Sequence, residues 1–263
     1  MDLGLTNKVA LVCGSSKGLG KATAKCLARE GAAVILCSSN SANLEEAKQD
    51  IQKVSNIEVK AIKANLSDHD DVNRLIDVLF KEQGHLDILV NNNGGPPFGK
   101  FETLSVEDWR KAYEAMFISA VMLTKSVLPG MKSQQWGRIL NITSIAVKQP
   151  VENLILSNSI RAGITGFAKT LANEVAPFGI TVNNILPGFT RTERLVRLAE
   201  ETAEREGISL EDAYQTWIKD IPMNRLGEPQ EFGDMVSFLA SERASYVTGI
   251  SITVDGGWVR SLI

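Results

Sequence analysis

Short apolar runs alternate along the chain with longer stretches in which apolar residues recur every three or four positions. Runs such as "VALVC" and "AAVILC" are apolar on both faces, which is typical of strands buried in a parallel sheet. The apolar runs predict strands at 8–14, 33–38, 58–65, 86–92, 137–144, 180–188 and 250–257. The periodic stretches predict helices at 19–31, 43–54, 69–84, about 106–130 and 157–177.

The regular alternation of strand and helix predicts an α/β fold with right-handed crossovers. We expect a doubly wound (Rossmann) parallel sheet of seven strands with helices on both faces. No repeat, low-complexity segment or long linker divides the chain, which predicts one domain over residues 1–263. The one departure is a charged helical insertion at about 193–222, which we interpret as a lid.

Composition and charge narrow the class of protein. The chain has 263 residues with a net charge of −3, and its basic residues are interleaved with acidic ones. This balance argues against nucleic-acid and membrane-surface partners, and the apolar runs are too short to span a bilayer. The N-terminus lacks the pattern of a secretion signal, so we expect a cytoplasmic protein. Cys13, Cys26 and Cys37 match no metal spacing, and we predict buried thiols and no metal site.

The segment "CGSSKGLG" (13–20) follows the first predicted strand and opens the first predicted helix. Glycines at 14, 18 and 20 permit a tight turn and a close approach of the backbone to a pyrophosphate. The free N–H groups at the start of the following helix favour an anion there. Because the glycines stand between a strand and a helix, they predict a dinucleotide site rather than a plain turn.

Further segments give the pattern a family likeness. They are "LVNNNGG" (89–95), "ITS" (142–144), "GITVNNILPGFTRT" (179–192) and "RLGEPQEFGDMVSFLAS…YVTGISITVDGG" (225–257). Together with the glycine spacing, they resemble the short-chain dehydrogenase/reductase family, and within it the β-ketoacyl-(acyl carrier protein) reductases. The resemblance extends from Lys8 to Trp258.

The resemblance implies a set of cofactor-binding residues at the carboxyl ends of the strands. They are Gly14, Ser16, Gly18, Leu19, Asn65, Asn91, Pro187, Gly188 and Thr192. By the family pattern, the first four line the pyrophosphate and ribose, and Asn65 replaces the usual Asp near the adenine. Asn91 supports the ribose and the fourth strand, and the last three hold the nicotinamide carboxamide.

The choice between NADP(H) and NAD(H) depends on the end of the second strand. NAD-specific folds place an acidic residue there to bind the ribose 2′-OH, but this chain has Ser38, Ser39 and Asn40. No carboxylate there repels a 2′-phosphate, and Lys17 stands where NADP-using relatives often carry a basic residue. A solvated surface lysine is the alternative for Lys17. The sequence favours NADP(H) over NAD(H).

The catalytic positions depart from the family, whose usual residues are Asn, Ser, Tyr and Lys. Ser144 matches the serine, but Met116, Ser157 and Arg161 fall at the asparagine, tyrosine and lysine positions. An aliphatic hydroxyl is a far weaker acid than a phenol, and a guanidinium stays protonated at neutral pH. The usual proton donor is therefore missing.

Ser157 and Arg161 are four residues apart, so they share one helix face, which we expect to look toward Ser144. A guanidinium beside two hydroxyls is suited to polarising a carbonyl or binding a carboxylate or phosphate. The alternative is that Arg161 pairs with a neighbouring acid or extends to solvent. Other candidates for the proton donor are Tyr113, Lys148, Glu152 and Tyr214, each more typical of surface or packing positions.

Two main hypotheses follow. The first is an NADP(H)-dependent oxidoreductase that acts on a carbonyl or acyl substrate, 3-oxoacyl reductase-like, with Ser144, Ser157 and Arg161 as a non-standard catalytic set. The second is a catalytically silent relative that binds NADP(H) as a sensor or subunit. A nucleic-acid-binding regulator is disfavoured by the charge. The resemblance also implies a homotetramer, assembled through the two long helices that flank the fifth strand.

Overall fold

The seven apolar runs form one parallel sheet in the order β3-β2-β1-β4-β5-β6-β7. The computed structural model describes residues 1–262. The strands are β1 (Val9–Cys13), β2 (Ala33–Ser38), β3 (Lys60–Lys63), β4 (Ile88–Asn91), β5 (Gly137–Ile142), β6 (Ile180–Pro187) and β7 (Ser251–Val254). The predicted doubly wound sheet is confirmed. The predicted strand at 58–65 is shorter, and Val59 instead donates its N–H to Gln52 Oε1 at the end of the preceding helix.

Nine helices connect the strands within the described residues. They are α1 (Gly18–Arg29), α2 (Ser41–Gln52), α3 (His69–Gln83), α4 (Val106–Tyr113), α5 (Ser119–Gln134), α6 (Ile155–Val175), α7 (Glu193–Glu206), α8 (Leu210–Ile218) and α9 (Pro229–Ala240). The segments Phe101–Thr103, Ile145–Val147, Ala176–Phe178 and Glu242–Ala244 form single 3-10 turns. None of the helices in residues 1–262 is both long enough and apolar enough to cross a membrane.

The sheet separates two apolar layers because successive side chains of a strand point to opposite faces. Ala10 and Val12 of β1 pack into the layer formed with α1, α2 and α9. Val9, Leu11 and Cys13 pack into the layer formed with α3, α5 and α6. All five residues of β1 are buried, which explains why the run is apolar throughout. Cys13, Cys26 and Cys37 are free and buried, as predicted.

The helix predicted over about 106–130 is not continuous, and this prediction is wrong in one detail. A π-helical turn, Glu114–Ile118, lies between α4 and α5, and α5 then continues past Pro129 to Gln134. Asn93 Nδ2 and Ser119 Oγ both donate to the carbonyl of Ala115 within this turn. These bonds replace part of the regular helical pattern. Such turns occur often beside functional sites.

The predicted lid is two helices, α7 and α8, with a break at Gly207, whose φ is +65°. They enclose a small apolar core of their own with Phe189 and Trp258. Tyr214 lies in that core with 8% of its surface exposed, so it is a packing residue.

Candidate functional site

The chain crosses from the β3 edge to β4 on the other side of β1, so the order of strands reverses next to β1. In open α/β sheets, ligands bind at the carboxyl ends of the strands beside such a reversal. Three adjoining cavities lie here. The inner cavity lies beside Ser38 and Asn65, the central cavity beside Gly18 and Leu19, and the outer cavity beside Ser144 and Ser157. Their volumes are about 280, 260 and 250 Å³, and we call the space that they form together the crevice.

The glycine loop connects β1 to α1 with Gly14 and Gly18 in the left-handed region, at φ of +57° and +54°. A Cβ on Gly20 would overlap the carbonyl oxygen of Gly14. Asn92, which sequence reasoning missed, donates from Nδ2 to Cys13 O (3.1 Å) and Gly14 O (3.3 Å) and fixes the turn. The only signal for it was its place directly after Asn91, at the end of β4. The loop is therefore held open as a cradle for a phosphate group.

The structure brings most of the predicted cofactor residues into these cavities. The inner cavity is lined by Ser16, Lys17, Ser38, Ser39 and Asn65. The central cavity is lined by Gly14, Lys17, Gly18, Leu19, Pro187 and Thr192. The outer cavity is lined by Leu19, Pro187, Gly188 and Thr192, together with Ser144, Ser157 and Arg161.

Asn91 is the exception among these residues, because it lines none of the three cavities. Its side chain is buried under the crevice and donates from Nδ2 to Asn141 Oδ1 at 2.9 Å. Asn141 Nδ2 donates in turn to Asn184 Oδ1 (3.1 Å), and Asn184 Nδ2 donates to Ser251 Oγ (3.1 Å). These four residues are register partners on β4, β5, β6 and β7. We call them the amide row. Sequence reasoning missed the row, although Asn91 and Asn141 lie at or near the ends of their strands and Asn184 lies within β6.

The inner cavity carries hydroxyl groups where NAD-specific folds carry a carboxylate. Ser16 Oγ and Ser38 Oγ are 2.9 Å apart, which joins the glycine loop to the end of β2. Lys17 faces the inner and central cavities, and its ammonium group pairs with Glu193 of α7 at 3.0 Å. Both partners are about half exposed or more, at 49% and 60% of their side-chain surface. The pair is therefore weak and exchangeable.

Ser144 and Ser157 present two hydroxyl groups to the outer cavity. Ser144 Oγ accepts a bond from Ala146 N at 3.1 Å, and Ser157 Oγ accepts one from Arg161 Nε at 3.2 Å. Within residues 1–262, neither hydroxyl donates a hydrogen bond. Each O–H group is therefore free to donate to a ligand in this cavity, as the donors of a site that binds a carbonyl oxygen do.

Arg161 is buried and joins Ser157 to the end of β5. Its Nη1 donates to the carbonyls of Ile142 (2.8 Å) and Thr143 (2.9 Å) at the end of β5, while Nε donates to Ser157. Burial, together with the positive charge of Arg194, lowers the pKa of Arg161 to about 10. The side chain stays charged at neutral pH. Its partners are carbonyls and a hydroxyl, so the alternative of an acidic partner is not what the structure shows.

Met116 lies in the π-helical turn and packs against Leu156, Ile160 and Ile164. It lines a small cavity of about 20 Å³ beneath the crevice, together with Asn91, Asn141 and Arg161. The four alternative proton donors, Tyr113, Lys148, Glu152 and Tyr214, do not line the outer cavity. The catalytic positions therefore offer hydrogen-bond donors without a side chain that is acidic near neutral pH.

The sheet order and the glycine loop define a dinucleotide-binding α/β protein. Residues 14–259 match the family model described as enoyl-(acyl carrier protein) reductase. The chain is 32% identical to the 3-oxoacyl-[acyl-carrier-protein] reductase FabG of Aquifex aeolicus, over 98% of this chain and 99% of that one. It is 31% identical to the NADPH-dependent reductase BacG of Bacillus subtilis, over 98% of this chain and all of that one.

A solved structure gives the same result. L-sorbose reductase from Gluconobacter frateurii, complexed with NADPH and L-sorbose, superposes with a TM-score of 0.96 at 32% identity, and both chains are covered completely. The chain belongs to the short-chain dehydrogenase/reductase family.

Proposed function

We propose that this protein is an NADP(H)-dependent oxidoreductase that acts on a carbonyl or acyl substrate, 3-oxoacyl reductase-like, with a non-standard catalytic set. The proposal rests on the hydroxyl groups of Ser144 and Ser157, whose O–H groups donate to no group within residues 1–262, and on the nearby buried cation of Arg161. They lie in one cavity with Pro187 and Gly188, the residues assigned to the nicotinamide. The relatives that are reductases support the same reaction class.

The cradle fits a dinucleotide, because the glycine loop leaves room for a pyrophosphate against the start of α1. A bound nicotinamide supplies a hydride for the carbonyl carbon. Ser144 and Ser157 donate to the carbonyl oxygen, where negative charge develops, and Arg161 stabilises that charge through Ser157. A serine hydroxyl is too weak an acid to give up its proton at neutral pH. The two hydroxyls therefore stabilise the oxyanion by hydrogen bonding, and hydronium or a buffer acid from solvent protonates it to the alcohol.

The inner cavity supports NADP(H) as the cofactor. Ser16, Ser38 and Ser39 provide hydroxyl donors for a 2′-phosphate, and no carboxylate lines this cavity within residues 1–262. Lys17 also lines this cavity, and its ion-pair partner is the exposed carboxylate of Glu193, which a phosphate group can replace. The NADPH named with the Bacillus subtilis relative and the sorbose reductase structure supports the same choice.

The second candidate is a catalytically silent NADP(H)-binding relative. It is favoured by Met116, Ser157 and Arg161 at the positions of the family's asparagine, tyrosine and lysine. Cytoplasmic location remains a prediction from the N-terminal sequence, and assembly as a homotetramer remains a prediction from the resemblance.

Transfer of deuteride from 4-deuterated NADPH separates the two candidates. We expect deuterium in the product alcohol for at least one member of a panel of ketones and 3-oxoacyl thioesters, with NADPH binding measured by fluorescence. Tight NADPH binding with no transfer to any substrate contradicts the oxidoreductase and supports the silent relative. If neither NADPH nor NADH binds, both candidates fail.

Gly20→Ala is expected to weaken NADPH binding about tenfold or more, because its Cβ would overlap the carbonyl oxygen of Gly14 and displace the loop. Fluorescence titration measures the dissociation constant. The matched control is Gly130→Ala in α5, where a Cβ meets no atom within 4 Å. We expect it to leave NADPH binding unchanged and to stabilise the fold by about 0.5–1 kcal/mol. Equal NADPH affinities in the two variants would contradict the assigned cradle.

A further inference from the structure

The first turn of α7 places an arginine at the boundary between the central and outer cavities. Arg194 lines both cavities. Its guanidinium lies over the ring of Phe98, 5.1 Å from the ring centre, and its Nη1 lies against the backbone of Gly95. Any side chain on Gly95 would displace that guanidinium. Two residues on the opposite wall thus position Arg194 in the crevice.

No acidic side chain within residues 1–262 pairs with this arginine. Within residues 1–262, Arg194 forms no hydrogen bond or ion pair, and its neighbouring charges are the cations Arg161 and Arg197. Glu193 is the one carboxylate that lines either cavity in the described chain, and it pairs with Lys17. The crevice therefore carries a net positive charge beside the outer cavity.

The rest of the outer cavity shows where an anionic group belongs. Its lining includes the apolar side chains of Leu154, Leu195 and Leu198 as well as Ser144 and Ser157. A ligand that fills this cavity needs a carbonyl oxygen for the hydroxyls, an apolar body for the leucines and a negative charge for Arg194. Guanidinium groups bind carboxylates through two parallel N–H bonds, which also orient the ligand.

We propose that the substrate is an oxo acid, whose free carboxylate binds Arg194 while its keto oxygen accepts from Ser144 and Ser157. The proposal rests on the proposed function, since it names the class of carbonyl compound that the same site reduces. A phosphate group of the dinucleotide is the other anion near Arg194, because the central cavity reaches the glycine loop. Substitution of Arg194 has different effects for these two anions, the carboxylate of the substrate and the phosphate of the dinucleotide.

The test compares each of two oxo acids, 4-methyl-2-oxopentanoate and 4-oxopentanoate, with its uncharged methyl ester. Binding to the NADP⁺ complex is followed by tryptophan fluorescence, to which Trp217 of the lid contributes, and NADPH affinity is titrated separately. The variants are Arg194→Gln, Arg194→Lys and the control Arg205→Gln. Arg205 lies on the same helix, and its partner is the adjacent Glu206, so the control removes an equal charge away from the crevice.

The wild-type complex is expected to bind at least one acid about tenfold or more tightly than its ester, as for a charge-assisted hydrogen-bonded pair. Arg194→Gln removes this preference, Arg194→Lys keeps part of it, and Arg205→Gln leaves it intact, all with unchanged NADPH affinity. Equal or absent binding of acid and ester by the wild type overturns the proposal. So does an Arg194→Gln variant that loses NADPH affinity but keeps the preference, because the arginine then binds the dinucleotide phosphate.

Failure of this proposal is distinguishable from failure of the proposed function. If deuteride reaches neutral ketones while acids and esters bind equally, only the oxo-acid proposal fails. If no substrate takes up deuterium although acids bind through Arg194, the proposed oxidoreductase function is contradicted, and only the anion site at Arg194 is supported.

Discussion

The double variant Ser144→Ala/Ser157→Ala is expected to lower kcat for hydride transfer by about 10³-fold or more, because loss of one donor to a developing oxyanion typically lowers kcat 10²–10³-fold. Each hydroxyl faces the outer cavity and donates to no group within residues 1–262. Each single variant should therefore lower kcat by about 10²-fold. Single-turnover deuteride transfer at saturating NADPH measures the effect.

Ser126→Ala in α5 is the matched control, since the Ser126 hydroxyl donates only to Leu123 O in its own helix. We expect this variant to keep wild-type kcat, and all the serine variants to keep wild-type NADPH affinity. A double variant within threefold of the wild type would show that these hydroxyls do not hold the reacting oxygen.

Arg161→Met is expected to lower kcat about 10²-fold and the free energy of unfolding by about 2 kcal/mol. Methionine leaves the carbonyls of Ile142 and Thr143 without their donor, and each unsatisfied buried carbonyl costs about 1–3 kcal/mol. Removal of a buried charge offsets part of that cost, because its desolvation is also removed. Urea unfolding followed by circular dichroism measures stability, and deuteride transfer measures kcat.

Arg161→Lys distinguishes the charge from the hydrogen bonds. Lysine keeps the cation, but its single ammonium group does not reproduce the planar fork that joins Nε to Ser157 and Nη1 to β5. We expect a kcat between those of the wild type and the methionine variant. Arg110→Met, an exposed position on α4, should change neither quantity. If Arg161→Met keeps the wild-type kcat, the positive charge of Arg161 has no part in the reaction.

The predictable parts of the fold are those set by local pattern. Buried strands such as β1 show an unbroken apolar run because both faces of the sheet are covered. The π-helical turn at Glu114–Ile118 could not be predicted in this way. Its carbonyl of Ala115 accepts a bond from Asn93, a contact between residues 22 positions apart that leaves no trace in the apolar period of the helix.

The candidate site likewise has one part that local sequence pattern predicts and another that only the folded chain brings together. The spacing of Ser157 and Arg161 already placed them on one helix face, and the bond of 3.2 Å between them follows from that spacing. The carbonyl partners of Arg161 lie 18 and 19 positions earlier, at the end of β5 and directly after it, so only the folded chain brings them together. Arg194 was missed because its significance depends on Gly95 and Phe98 across the crevice.

The amide row has a mechanical consequence for the floor of the crevice. Every bond in it is donated in the same direction, from Asn91 through Asn141 and Asn184 to Ser251. Rotating the amide of Asn141 by half a turn would set donor against donor toward Asn91 and acceptor against acceptor toward Asn184. Sliding one strand by a residue would turn its amide to the opposite face of the sheet. Strands β4 to β7 are thus held in register by their side chains as well as by their backbone hydrogen bonds, which makes the floor of the crevice one continuous bonded unit.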